Sequence, residues 1–118
     1  MTKFPKSKLI TVLKNHSAWL ADNGSEMADL HGLNLKNTDF RNMDLRDADF
    51  SGSDLRGADF SGANLSGADF SGSDLRNTVF YFSDLTSVNF RGANMYCASI
   101  SGANFTGANL SHANFYNE

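Results

Sequence analysis

An all-β solenoid is the fold class that the sequence predicts, and three regularities predict it. A large apolar residue, called here the central residue, recurs at every fifth position without a polar exception. The residue two positions before it is small in most units, and the residue one position before it is almost always Asp or Asn. Gly often stands two positions after it. The central residues are Leu30, Leu35, Phe40, Leu45, Phe50, Leu55, Phe60, Leu65, Phe70, Leu75, Phe80, Leu85, Phe90, Met95, Ile100, Phe105, Leu110 and Phe115.

A spacing of five residues fits neither the 3.6-residue turn of a helix nor the two-residue repeat of a continuous strand. Each unit must therefore combine a short extended piece with a turn. Residues two apart in the extended piece face the same side, which places the small and the central residue in the interior. The Asp or Asn between them faces outward, where it can bond nearby backbone amides. Gly suits the bend because it has no Cβ to clash there.

Tandem units such as Ala-Asp-Phe-Ser-Gly and Ser-Asp-Leu-Arg-Gly resemble those of the pentapeptide-repeat family, and the resemblance covers residues 28–117. It implies a right-handed quadrilateral β-helix in which four of these units, 20 residues in all, form each coil. On this basis residues 28–118 are predicted to be one structural unit of about 4–5 coils, at ~4.8 Å per stacked coil.

Leu and Phe alternate strictly at the central positions from Leu35 to Phe90. With four sides, one opposed pair of faces would carry Leu and the other pair Phe. After Phe90 the order changes, so that larger residues take the Leu faces and smaller residues the Phe faces. The volume of the core per coil stays similar, as a densely packed interior requires.

Residues 1–27 are predicted to form an α-helical cap on the first coil, because an open solenoid end would expose core and unpaired backbone. The expected helix begins with Ser7 as N-cap and runs to about Asn23, with Gly24 at its end. Its apolar stripe faces the coil. The segment 13–20 also resembles the leader of many bacterial pentapeptide-repeat proteins. The stripe consists of Leu9, Val12, Leu13, His16, Trp19 and Leu20.

Composition narrows the class of protein. The net charge is −3, so a dominant basic footprint for nucleic acid is absent. Leu9–Val12 is too short for a signal-peptide core, and no stretch approaches the ~20 apolar residues of a membrane span. The lone Cys97 cannot form an internal disulfide, which suits a reducing compartment. We therefore expect a cytoplasmic protein without membrane, nucleic-acid or small-molecule ligands.

Candidate chemical groups are few. His16 is expected to be a cap histidine that bonds a backbone carbonyl or a carboxylate, with metal binding or base catalysis as the remote alternative. Stacking of residues 20 apart would align Asp29, Asp49 and Asp69, and such a column could bind calcium. Asn replaces Asp freely in the C-terminal half, which favours a structural role in turns. We expect no metal, no cofactor and no enzyme activity, since no nucleophile–base constellation is visible.

Several outward positions are candidates for protein contacts. Thr78–Phe82 breaks the repeat most, and it predicts either a contact surface or a local bulge whose rings fold over the neighbouring coil. Lys36, Arg56 and Arg76 share an edge that continues into two tyrosines. The favoured interpretation is that these are solubilising residues beside the Asp columns, and the alternative is that they form a partner-binding strip. The candidate interaction residues are Tyr81, Phe82, Tyr96 and Tyr116, and the candidate C-terminal dimer face is Phe105, Leu110 and Phe115.

The favoured function is a non-catalytic structural or protein-binding module, binding a protein partner or a second copy of itself through the C-terminal coil. The alternative, implied by the resemblance, is a DNA mimic that modulates a type II topoisomerase, DNA gyrase, and protects it from quinolones. Residues 29–90 carry ten Asp against five Lys or Arg, a net charge of −5. Duplex DNA carries about nine charges over the corresponding ~15 Å, which weakens the alternative.

Overall fold

The computed structural model describes residues 2–21 and 27–115. Its helix, α1, spans Lys6–Leu20, with Pro5 as N-cap and Ala21 as C-cap. The prediction that Ser7 caps the helix is wrong, because the helix begins at Lys6 and has no side-chain cap; the amide of Leu9 donates to the carbonyl of Pro5 at 3.0 Å. Pro5 lies just outside the helix with φ −62° and ψ 135°, where its missing N–H removes no helical hydrogen bond. The helix ends earlier than expected, and Asn23 and Gly24 lie outside the described residues.

The repeats wind into coils of 20 residues. Each Asp or Asn position forms a parallel β-bridge with the position 20 residues later, from Asp29–Asp49 through Asn94–Asn114. The extended pieces are so short that each contributes a single bridge residue, at 29, 34, 39 and every fifth position to 114. Four bridges per coil give the four sides that the family resemblance implies. Residues 28–115 make about four and a half coils.

In an interior unit with Asp or Asn at the outward position, each backbone amide has an acceptor, as residues 49–53 show. The amide of Phe50 donates to Asp69 O at 2.8 Å and that of Gly52 to Ser71 O at 2.9 Å, both in the following coil. The amide of Asp49 donates to Ala28 O in the preceding coil, and that of Ser53 closes the turn on Phe50 O. The amide of Ser51 donates to the Asp49 carboxylate at 2.9 Å. The outward Asp thus satisfies the one amide that the backbone leaves over.

The interior consists of stacked side chains. Phe40 and Phe60 stack at 4.7 Å between ring centroids, and Phe50 and Phe70 at 4.9 Å. Rings on opposed faces meet edge to face, at 5.5 Å for Phe40 and Phe50. Both arrangements are favourable for aromatic pairs. The separation into Phe faces and Leu faces is confirmed, and the central residues from Leu30 to Phe90 are fully or almost fully buried.

Inner hydroxyl groups also bond across coils. Ser53 Oγ donates to Leu30 O at 2.5 Å, Ser73 Oγ to Phe50 O at 2.8 Å and Thr78 Oγ1 to Leu55 O at 2.8 Å. These side chains are buried, so the hydrogen bonds offset the cost of removing a hydroxyl from water. Ser and Thr therefore replace Ala at the inner small position without disturbing the stack.

The N-terminal segment before α1 adds to the first coil, which the sequence analysis did not foresee. Lys3 forms a parallel bridge with Asn34, and the amide of Phe4 donates to Asn34 O at 2.9 Å. α1 covers the coil through its apolar stripe, in which Leu9 and His16 are buried. The expectation for His16 is corrected: its Nδ1 accepts a hydrogen bond from the backbone amide of Ala28 at 2.9 Å, instead of bonding a carbonyl or a carboxylate.

The described part of the chain measures 43 × 32 × 21 Å along its principal axes. Within residues 2–21 and 27–115, no helix has both the length and the apolar character to cross a bilayer.

The turn geometry gives a first prediction. Gly52 has φ +64°, and a Cβ there would meet no atom within 4 Å, so a substitution tests backbone strain alone. Gly52→Ala should lower the free energy of unfolding by about 1 kcal/mol. Gly52→Asn should cost less, since Asn tolerates this region and occupies it at positions 37, 42 and 77. Urea unfolding followed by circular dichroism measures both; equal costs for Ala and Asn would contradict this account.

Candidate interaction surfaces

Each arginine between residues 29 and 90 pairs with the Asp two residues before it. Arg56 forms two parallel hydrogen bonds with the Asp54 carboxylate, at 2.9 and 2.7 Å, and lies 3.7 Å from Asp74. Arg76 pairs in the same way with Asp74. The side-chain bonds from Arg41 lower the pKa of Asp39 to about 2. Both arginines of the predicted basic strip therefore pair with an Asp two residues earlier, which favours the interpretation as solubilising residues over a free basic surface.

One group of potential metal ligands lies on the first two coils. Ligand atoms of Asp29, His31 and Asp49 lie within 4.8 Å of one another. His31 Nδ1 is already in contact with Asp29 Oδ1, and the side chains of both are more than 60% exposed. The contact raises the pKa of His31 and lowers that of Asp29. We interpret the group as a solvated ion pair beside the Asp49 turn.

The stretch Thr78–Phe82 keeps the register of the coils. Val79 forms its bridges with Asp59 and Ser99 as any Asp would, so the predicted local bulge is wrong. A valine offers no acceptor, so the amide of Tyr81 lacks the side-chain partner that Ser61 and Ser71 have in Asp59 and Asp69. The irregularity is therefore confined to the outward surface, where Tyr81 is 43% exposed.

Phe82 is the most exposed of the large apolar residues that the structure describes. It is 75% exposed and has φ +56°, a conformation that costs a bulky residue about 1–2 kcal/mol. Its ring lies over Gly102 of the following coil, so that a Cβ at residue 102 could fit only if the ring moved. The prediction that a ring folds over the neighbouring coil is thus correct for Phe82. The ring nevertheless leaves most of its surface in water.

The remaining outward candidates differ in accessibility. Tyr96 is partly buried, and its amide donates to Asn94 Oδ1 at 3.2 Å. Cys97, also partly buried, occupies the second turn position with φ +59°. Tyr116 lies outside the described residues. Tyr81 and Phe82 therefore form the principal outward aromatic pair, and we call them the aromatic pair below.

The coil formed by residues 96–115 is the end of the described solenoid. Ile100, Leu110 and Phe115 are 39%, 39% and 38% exposed, whereas the equivalent residues of the interior coils are buried. Phe105 is less exposed because its ring packs against Phe90 at 5.8 Å. Ile100 belongs with the predicted dimer face, although the sequence analysis did not single it out. We call Ile100, Phe105, Leu110 and Phe115 the terminal face.

The family described as pentapeptide repeat region matches residues 27–99, and pentapeptide repeats (8 copies) match residues 83–117. The chain belongs to the pentapeptide-repeat family.

Solved structures of the same family are similar to the chain. Alr5209, a pentapeptide repeat protein from Nostoc PCC 7120, is 29% identical, with 85% of this chain and 73% of that one covered and a TM-score of 0.48. A pentapeptide repeat protein from the Arabidopsis thaliana thylakoid lumen is 34% identical, with 71% and 66% covered and a TM-score of 0.33. QnrB1, a plasmid-mediated fluoroquinolone resistance protein, is 26% identical, with 72% and 46% covered and a TM-score of 0.39. No curated protein matches the chain.

The strained position of Phe82 gives a second prediction. Phe82→Gly should leave the free energy of unfolding unchanged or raise it by about 1 kcal/mol, since relief of the left-handed strain offsets the loss of one exposed ring contact. Phe80→Ala, which empties a buried central position, should lower it by about 3–5 kcal/mol. Chemical unfolding of both variants measures the contrast. A loss above 2 kcal/mol for Phe82→Gly would show that the ring stabilises the coil.

Proposed function

We propose that this protein is a non-catalytic binding module that associates with a second copy of itself through the terminal face, C-terminal end to C-terminal end. The dimer would present two copies of the aromatic pair to a protein partner. The cytoplasmic location, the right-handed sense of the coils and the division into a cap at 1–27 and a solenoid at 28–118 are part of this proposal.

The observation that carries the proposal is the contrast between the two ends of the solenoid. At the N-terminal end, α1 and the bridge from Lys3 cover the first coil, and Leu30, Leu35 and Phe40 are fully buried. At the other end, the four residues of the terminal face are open to a greater degree than any interior central residue. A contiguous apolar surface of this kind on a small protein often marks a protein contact.

A second copy fits the terminal face better than an end-to-end stack. Stacking in one direction would need a bare first coil to receive the last coil of the next molecule, and α1 covers that coil. Contact between two identical terminal faces is closed and two-fold symmetric, which is the commonest arrangement of protein oligomers. Such a contact would bury on each molecule the same four residues that it buries on the partner.

The aromatic pair is the proposed site for a different protein. Tyr and Phe rings supply large contact areas, and aromatic residues are enriched at protein interfaces. Phe82 accepts a strained backbone while remaining 75% exposed, so packing within the coil does not account for it. Backbone strain at an exposed residue is a recognised sign of a functional position.

Ion pairs on the surface weaken the DNA-mimic alternative, because they neutralise half of the Asp residues between 29 and 90. Four of the ten Asp residues between 29 and 90 pair with an Arg, and a fifth, Asp29, pairs with His31. Paired carboxylates contribute little to a long-range field at physiological salt. Asp47, Asp49, Asp59, Asp69 and Asp84 remain as the acidic groups without an Arg or His ion pair.

Solution mass tests the proposal. Light scattering should give twice the chain mass of 12.9 kDa for the wild type. It should give the chain mass for Leu110→Asp, since a carboxylate buried without a partner at the contact would be costly. Thr106→Asp places the same charge on an exposed outward position of the same coil and should leave the dimer intact. Circular dichroism checks that all three proteins are folded.

A monomeric, folded wild type at concentrations up to about 100 μM would overturn the self-association, because a dissociation constant above that value supplies less than about 5.5 kcal/mol. Dimers of Leu110→Asp would place the contact elsewhere. Either result would leave the aromatic pair as the site to probe for a partner.

A further inference from the structure

Among the residues that the structure describes, His16 is the titratable group most completely enclosed between α1 and the first coil. Its exposed fraction is 1%. Nδ1 accepts a hydrogen bond from the backbone amide of Ala28 at 2.9 Å, and the ring stacks on Trp19 at 5.5 Å between centroids. Ala28 lies at the start of the first coil, so this bond joins the helix directly to the solenoid.

The hydrogen bond fixes the protonation state of the ring. A nitrogen that accepts from an amide carries no proton, so His16 is neutral with its proton on Nε2. Nε2 is buried and makes no hydrogen bond of normal geometry, although the backbone of Arg46 lies near enough to favour a proton on the ring. A second proton would have to enter at Nδ1, where it would meet the Ala28 N–H head on. Protonation would therefore remove the bond and leave a charged ring in a buried interface.

Burial and the neighbouring charged groups shift the pKa of His16 in opposite directions. Burial is the dominant effect and lowers the pKa of His16 below its ordinary value. The first coil contributes Asp44 and Asp47, whose carboxylates favour the protonated ring, as does the backbone of Arg46. The Arg46 guanidinium opposes it. The two carboxylates do not outweigh burial, so the docked helix binds a proton less readily than the free helix does.

We propose that His16 is an acid-sensitive latch: the neutral ring holds α1 on the first coil, and uptake of a proton by the ring releases the helix and uncovers the N-terminal end of the solenoid. Release would expose Leu30, Leu35 and other central residues of the first coil, which α1 and its preceding segment now cover. The inference does not depend on the proposed dimer, because it concerns the opposite end of the chain.

The direction of the pH dependence follows from linkage. The docking free energy supplied by His16 is fully present above about pH 6.5, the ordinary value for a free His. It decreases as the pH falls below that value, until the docked ring is protonated as well. His31 behaves in the opposite way: its raised pKa gives an ion pair that is present at low pH and lost as the pH rises. A substitution at His16 is therefore needed to separate the two.

The experiment measures amide exchange protection at Ala28 between pH 7.5 and pH 5.0, corrected for intrinsic exchange, in the chain of 118 residues. In the wild type, protection should fall by about ten-fold for each unit by which docking depresses the His16 pKa. His16→Asn keeps an acceptor near the Nδ1 position but takes up no proton, so its protection should be constant within about two-fold. His31→Gln should behave like the wild type, and the Phe60 amide should be unaffected in all three.

Two results would overturn the latch. One is a wild-type protection factor at Ala28 that does not change with pH, and the other is an equal acid response in His16→Asn. If His16→Asn fails to dock its helix at pH 7.5, the titration of the His16 ring in the wild type is measured instead, by proton NMR. A ring that titrates at or above pH 6.5 would then contradict the proposal, and a lower value would support it.

Discussion

The hydrogen-bond ladder between coils is the interaction on which the rest of this structure depends. Each five-residue unit of the interior coils has five backbone amides: the two neighbouring coils accept three of them, the turn accepts one, and the outward Asp or Asn, where one is present, accepts the last. Buried backbone without partners is costly, so the ladder determines which residue type each position tolerates. The inner position must be small, the central position apolar, the next outward position an acceptor, and the second turn position tolerant of a positive φ.

Departures from these requirements are informative because the repeat has no structural need for them. Val79 replaces an acceptor, and Phe82 places a bulky ring where Gly or Asn would be unstrained. The terminal face departs in another way, since its central residues have the character of core but the exposure of surface. Both features lie on a rigid framework that holds them at fixed positions. These two departures are the observations on which the proposed protein-binding function rests.

Much of the fold could be predicted from the sequence, because a strict period of five identifies the inward and outward positions directly. The Leu and Phe faces followed from their alternation once four sides were assumed, and the number of sides came from the family resemblance.

The cap was less predictable from the sequence. Its N-terminal bridge at Lys3 involves a single residue, and nothing in the composition of residues 2–5 distinguishes it. Likewise, His16 accepts a hydrogen bond because the Ala28 amide lies beside its ring, and no local sequence pattern encodes that contact. The aromatic pair is recognisable in the sequence because it breaks the repeat. The contact of the Phe82 ring with Gly102 is not, because it depends on how successive coils stack.

Residue-resolved amide exchange on the wild-type chain tests the central role of the ladder most directly. The account predicts that the amides of Phe60 and Phe70, which donate to the following coil, exchange only with global unfolding. It also predicts protection of Ser61 and Ser71, whose acceptors are the carboxylates of Asp59 and Asp69. The amide of Tyr81, which follows Val79, should exchange more than about ten-fold faster than either serine. Equal protection of Tyr81 and the two serines would show that the outward Asp column does not complete the ladder, and the explanation of the repeat given above would fail.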